Sequence, residues 1–171
     1  MQNTTTTRKW SDLKGLAVIA IDTGIKAGSL EDFFFDPQHN SVYALQVKVG
    51  LFSHLALPTS DINAIGVDAV TFTTEGQLIK ANSDEIIAKM PLGSTVLSYR
   101  VLSEGGTVIG KVGNIILDVS VPTALKVVAF ELAAGLRARI SKHYPTFEAS
   151  QVGRYGGDVI VIPDAIAAAL Q

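Results

Sequence analysis

Asp22-Thr23-Gly24-Ile25-Lys26-Ala27-Gly28-Ser29-Leu30-Glu31-Asp32-Phe33-Phe34-Phe35-Asp36 is echoed further along the chain by Glu104-Gly105-Gly106-Thr107-Val108-Ile109-Gly110-Lys111-Val112-Gly113-Asn114-Ile115-Ile116-Leu117-Asp118. A shift of 82 residues carries Asp36 onto Asp118 and sets Gly24 and Gly28 on Gly106 and Gly110. The apolar trio Phe33-Phe34-Phe35 then meets Ile115-Ile116-Leu117. Just before the first stretch, Leu16 to Ile21 is apolar; Asp22-Thr23-Gly24 interrupts it, and a second apolar run extends to Asp36-Pro37. That pattern reads as strand, turn, strand. Self-similarity at this spacing decides the architecture before any single motif does.

Outward from that pair, Ser41 to Val49 alternates, with Leu45, Val47 and Val49 on one face and Ala44, Gln46 and Lys48 on the other. Period two with branched side chains predicts a half-buried strand. The matching strand is expected at Leu125–Leu132, a shift of 83. Ser60, Gly66 and Asp68 recur as Ser150, Gly156 and Asp158 at a shift of 90, so the second copy carries about seven extra residues near 133–147. Pro58-Thr59-Ser60-Asp61-Ile62 has the composition of a short helical turn, and Val67 to Thr73 that of another strand. Asn82 to Lys89 predicts a connector helix stopped by Pro91 and Gly93, and Pro163 to Leu170 a terminal helix. Everything else reads as β. The expectation is a mainly β chain of two tandem small barrels, since closing a sheet removes exposed edges. The boundaries follow: a flexible tail over 1–9, a first barrel over 10–81, a connector over 82–93, and a second barrel with the terminal helix over 94–171.

Composition bounds the chemistry. The 171 residues are 47% hydrophobic and 18% charged, too apolar for a disordered chain. Fourteen basic against sixteen acidic side chains give a formal charge of −2, so no whole-chain field favours nucleic acid or anionic lipid. With no cysteine, disulfides, thiolate metal sites and thiol catalysis are excluded, which fits a cytoplasmic protein. Apolar runs are too short for a membrane span or a signal peptide, and a soluble chain is expected, cytoplasmic or peripheral at a membrane.

The ordered set Leu13-Lys14-Gly15, Gly28 to Pro37, Val42-Tyr43-Ala44-Leu45, Leu57 to Ile62 and Gly66-Val67-Asp68-Ala69-Val70 resembles a PRC-barrel domain. Gly110 to Asp118 and Gly156-Gly157-Asp158-Val159-Ile160 resemble it more loosely, so the resemblance spans about residues 13–73 and 95–162. It implies the small β-barrel shared by the cytoplasmic domain of the purple-bacterial photosynthetic reaction-centre H subunit and the C-terminal domain of a ribosome maturation factor. It also implies a binding or assembly module with no common catalytic residues. A non-enzymatic protein is therefore expected, docking on a membrane or photosynthetic complex from the cytoplasmic side. Protein partners and homo-oligomers come first among its contacts, and nucleic acid second. Asp118-Val119-Ser120 departs from the Asp-Pro turn of the first copy.

The remaining constellations are weaker. Gly105-Gly106-Thr107-Val108-Ile109-Gly110-Lys111-Val112 resembles a phosphate loop, but Val112 offers no magnesium ligand and a strand follows, so a glycine-rich hairpin turn is the better reading. His39, His54 and His143 lack metal-ligand spacing, and Asp36 and Asp118 have the chemistry of turn openers. No cofactor, metal or catalytic residue is assigned. Arg137, Arg139, Lys142 and His143 form the one basic cluster, either a solvated edge or a stripe able to meet phosphates or acidic partners. The alternative function, an RNA- or ribosome-associated maturation factor, rests on that segment, 137–143. Phe33, Phe34 and Phe35 place aromatics on both faces of one strand, so at least one is expected to pack on the other barrel, the connector helix or a second chain.

Overall fold

A computed structural model describes residues 6–133, 140 and 144–170. The described residues begin with strand β1 (Thr7–Lys9) and a helical turn α1 (Trp10–Leu13). A first set of strands follows: β2 (Ala17–Ala20), β3 (Ile25–Asp36), β4 (Ser41–Val49), β5 (Ser53–Pro58), β6 (Ile62–Ile65) and β7 (Ala69–Phe72). Helix α2 (Glu85–Lys89) and the turn α3 (Gly93–Val96) lead to a second set. This comprises β8 (Arg100–Ser103), β9 (Val108–Asp118), β10 (Lys126–Leu132), β11 (Thr146–Glu148), β12 (Arg154–Tyr155) and β13 (Val159–Ile162), closed by α4 (Asp164–Ala169).

The same pairing scheme occurs twice. In the first set β2 runs antiparallel to β3 and parallel to β7, β3 pairs β4, β4 pairs β5, and β6 pairs β7. In the second set β8 stands in the same relation to β9 and β13, with β9 on β10, β10 on β11 and β12 on β13. Short 3-10 turns, Thr59–Asp61 and Ala149–Gln151, bend the chain at equivalent corners. Gly66 and Gly156 close matching turns, their N–H groups donating to Ala69 and Val159 carbonyls, each at 2.8 Å.

Register corrects the sequence alignment. Phe35 lies opposite Val42 and Phe34 opposite Ala44, while Leu117 lies opposite Val127 and Ile116 opposite Ala129. Val42 therefore corresponds to Val127, not to Leu125. The cause is the turn: Pro37–Asn40 joins β3 to β4, whereas the longer Val119–Leu125, containing the 3-10 turn Pro122–Ala124, joins β9 to β10. Both ladders skip one residue at the same place, Tyr43 and Val128, and such bulges increase local twist and let a sheet curl.

The two sets meet about an approximate two-fold axis. Ser41 pairs Lys126, joining the strands into one 13-stranded sheet. Flanking that pair, the Val42 N–H donates to the Leu125 carbonyl at 3.1 Å and the Val127 N–H to the Asn40 carbonyl at 2.7 Å, two bonds related by the same axis.

The leading segments also cross over. Thr7–Lys9, expected within a flexible tail, instead form β1, which adds antiparallel to β9 of the second set with Lys9 opposite Ile116. Reciprocally, Leu92 bridges to Phe34 in the first set and the Phe35 N–H donates to the Pro91 carbonyl at 2.8 Å. Each crossing segment then turns helical over a side-chain cap. Ser94 N–H donates to Asp32 Oδ1 at 3.1 Å, and Ser11 N–H to Asn114 Oδ1 at 3.3 Å. Free amides at a helix start need such acceptors. Asp32 and Asn114 occupy equivalent positions and do the same job on opposite partners.

One continuous apolar core serves both sets, running from Trp10, Phe33 and Phe35 through Leu117 and Phe130 to Ile160 and Ile162. A smaller cluster of Phe34, Ala44, Ala56 and Ile87 lies on the other face of β3–β5, where α2 covers it. Helix α2 starts where the Asp84 carboxylate accepts from the Ile86 and Ile87 amides.

Candidate docking surface

The aromatic trio is consumed by packing within the chain. Phe33 meets the Trp10 ring edge-on at 4.9 Å between centroids and lies against Gly93, where an added Cβ would run into its ring. Phe34 points the other way, into the cluster under α2. Phe35 meets Tyr155 of the second set at 5.4 Å. All three are buried. Arg137, Arg139, Lys142 and His143 lie outside the described residues.

The phosphate-loop look-alike is a hairpin turn between β8 and β9, with Gly106 at φ 94°. The Gly105 N–H donates to the Asp164 carboxylate at 2.8 Å, so the loop's amide already faces an anion. Lys111 stands on β9 opposite Arg100. Asp36 opens its turn by accepting from the Gln38 N–H at 3.0 Å and lies 2.8 Å from His39 Nδ1. Asp118 accepts from the Ser120 N–H and hydroxyl. Glu31 lies 2.6 Å from His54 Nδ1. Among the described residues no group of three His, Cys, Asp or Glu side chains is arranged to hold a metal ion.

Two ionisable groups owe their behaviour to contacts between the two halves of the chain. Lys9 pairs with the nearly buried Glu131 at 2.9 Å, and that hydrogen bond raises the ammonium's pKa above its ordinary value. Tyr155, packed among Phe35 and Phe130, has its phenol raised well above the usual range by burial. A cleft of about 520 Å³ opens beside the Lys9–Glu131 pair, bordered by Ser11, Asp12, Asn114 and Tyr144.

Three further clefts adjoin around the β3–β4 turn. The first, about 580 Å³, runs from Tyr43 and Thr59 to Thr123 and Lys126, with walls from both sets. The second, about 500 Å³, shares Tyr43 and is bordered by Pro37, Ile86, Met90 and Pro91. The third, about 480 Å³, shares Pro37 and Gln38 with the second and ends on Arg154 and Tyr155. The turn thus forms a ridge in a belt of concave surface at the junction. Sequence reasoning missed this belt, because its walls converge only when the two sets dock. It also missed an apolar end on the first set, where Leu51 and Phe52 stand exposed at the β4–β5 tip. That signal was present: Gly50-Leu51-Phe52-Ser53 puts two bulky apolar residues where a hairpin usually carries polar turn-formers.

Among the described residues no helix is long and apolar enough to cross a membrane. Curated proteins offer no match to the chain. The family model of the PRC-barrel domain matches residues 6–78, which include β1, the first strand set and its 3-10 corner. Residues 6–78 are a PRC-barrel domain.

Proposed function

We propose that the chain is a non-enzymatic binding and assembly module that seats a protein partner in the belt around the β3–β4 turn. One observation carries this reading: three clefts adjoin there, sharing Tyr43, Pro37 and Gln38 as common walls, and both strand sets contribute. Concave, partly apolar surface between two packed units is where recognition sites concentrate. The PRC-barrel domain at residues 6–78 supports it, since the family resemblance implies binding modules. The repeated strand scheme supports reading residues 94–171 as a second such unit. In its finer form the proposal puts the partner in a membrane-bound or photosynthetic complex reached from the cytoplasmic side, on the strength of that resemblance alone.

The test is site-specific cross-linking in native extract. A photoreactive group in place of Gln38 is expected to label a reproducible protein, and Ile86→Lys, at a side chain already half exposed, is expected to abolish the label at unchanged melting temperature. Failure to label any protein, or labelling indifferent to Ile86→Lys, would sink the reading.

A further inference from the structure

Two hairpin tips of the first set lie at one end of its sheet. On β3, Ser29 is flanked by Ala17 of β2 and Lys48 of β4. Toward Ile25, β2 therefore runs out to Ile21 and β4 runs out to Gly50. That end displays Ile21, Ile25, Leu51 and Phe52, which are 49%, 57%, 79% and 90% exposed. Isolated exposed apolar residues are ordinary, but four at one end over three adjacent strands make a patch. Lys26 and Lys48 stand exposed beside the two tips; the acidic groups of that end are Asp22 in the same turn, Glu75 just past β7, and Glu31, which is engaged by His54 opposite Lys48.

The shape selects the occupant. A concave site suits a protruding partner, but here the apolar groups themselves protrude, carried on paired strands that hold them outward. Val49 pairs Ser53 directly beneath the tip, and Gly50 takes φ 66°, a left-handed conformation that few other residues adopt, so the turn is tight and its side chains project. A fluid interface moulds itself around such wedges, and flanking ammonium groups favour anionic headgroups over neutral ones.

We propose that this end of the first set inserts Leu51 and Phe52 into the headgroup layer of an anionic phospholipid bilayer, with Ile21 and Ile25 at its margin and Lys26 and Lys48 against lipid phosphates. The surface is distinct from the junction belt, so it goes beyond the protein-docking function proposed above. The two stand or fall separately.

The test uses the full chain with phosphatidylcholine vesicles, with and without one third phosphatidylglycerol. The native chain is expected to co-sediment with the anionic vesicles, less so in high salt. Leu51→Ser with Phe52→Ser is expected to lower the bound fraction about tenfold, as loss of two inserted apolar side chains requires. Lys26→Gln with Lys48→Gln is expected to weaken binding and remove its salt dependence. Val67→Ser, on an exposed valine at the opposite end of β2, is the control and should leave binding unchanged. As a second readout, Phe52→Trp should shift its emission to the blue on adding anionic vesicles, over the constant background of buried Trp10. The proposal is overturned if the native chain ignores both vesicle types, if binding survives Leu51→Ser with Phe52→Ser, or if the Phe52→Trp emission does not move while the protein binds. Cross-linking at Gln38 then reports on the belt independently.

Discussion

The Tyr155 hydroxyl donates to the Asn40 side-chain oxygen at 2.7 Å, tying β12 of the second set to the β3–β4 turn of the first. Asn40 holds φ 50°, a left-handed conformation that asparagine tolerates better than most residues, and its carbonyl accepts from Val127. The turn that carries the proposed binding ridge is thus fixed by the opposite half of the molecule.

Tyr155→Phe keeps the ring contacts with Phe35 and Phe130 and removes one part-buried hydrogen bond, so thermal or denaturant unfolding should show a loss of about 1 kcal/mol. The raised phenol pKa adds a pH signature. The folded state keeps its proton to higher pH than the unfolded state, whose tyrosine ionises near 10.0, so the contribution is complete below that pH and is lost as pH rises above it. Melting temperatures followed into the alkaline range should fall more steeply for the native chain than for Tyr155→Phe.

Gly93→Ala would drive a methyl into the buried Phe33 ring, which Trp10 holds from another side. Overpacking of this kind costs about 1–3 kcal/mol. Pairing it with Phe33→Leu, which vacates the ring's volume, should recover part of the loss; a double-mutant cycle by urea denaturation measures the coupling.

Asp32→Asn should be nearly silent, because Asn114 already performs the equivalent capping with an amide oxygen. Asp32→Ala removes the acceptor for both the Phe33 and Ser94 amides and should cost about 1–2 kcal/mol. Equal losses for the two substitutions, measured by denaturant midpoint, would show that the charge and not the acceptor matters.

Lys9→Met leaves the nearly buried Glu131 carboxylate without its cation. Breaking a buried pair costs several kcal/mol, but Lys9 is 44% exposed and water screens the loss, so about 1–2 kcal/mol is expected. Lys9→Met with Glu131→Gln should be more stable than Lys9→Met alone, since the stranded charge is gone.

Much of this fold can be read in the residues. The Gly and Asp positions that repeat mark turns, and the alternation of Val42–Val49 marks a strand, because both are local backbone requirements. The observed correspondence of β4 with β10 differs by two residues from the one the sequence suggests, because the longer Val119–Leu125 turn leaves no periodic trace. The crossing of β1 and of Leu92 onto opposite sets is non-local: nothing in Thr7-Arg8-Lys9 announces that its partner is Leu117. The belt depends on that docking and was equally hidden. Leu51 and Phe52 are visible in the sequence as apolar residues, but their exposure follows from ending a hairpin that none of the described residues covers.

Because each leading segment completes the opposite strand set, severing the polypeptide between Thr73 and Asp84 would not free two halves. The amino-terminal fragment would still clasp β9 through Thr7–Lys9 and the carboxy-terminal fragment would still lie along Phe34 and Phe35. A nicked chain should therefore migrate as a single particle until it unfolds, and a piece trimmed to residues 6–78 would lack the Pro91–Val96 strap that roofs its own phenylalanines.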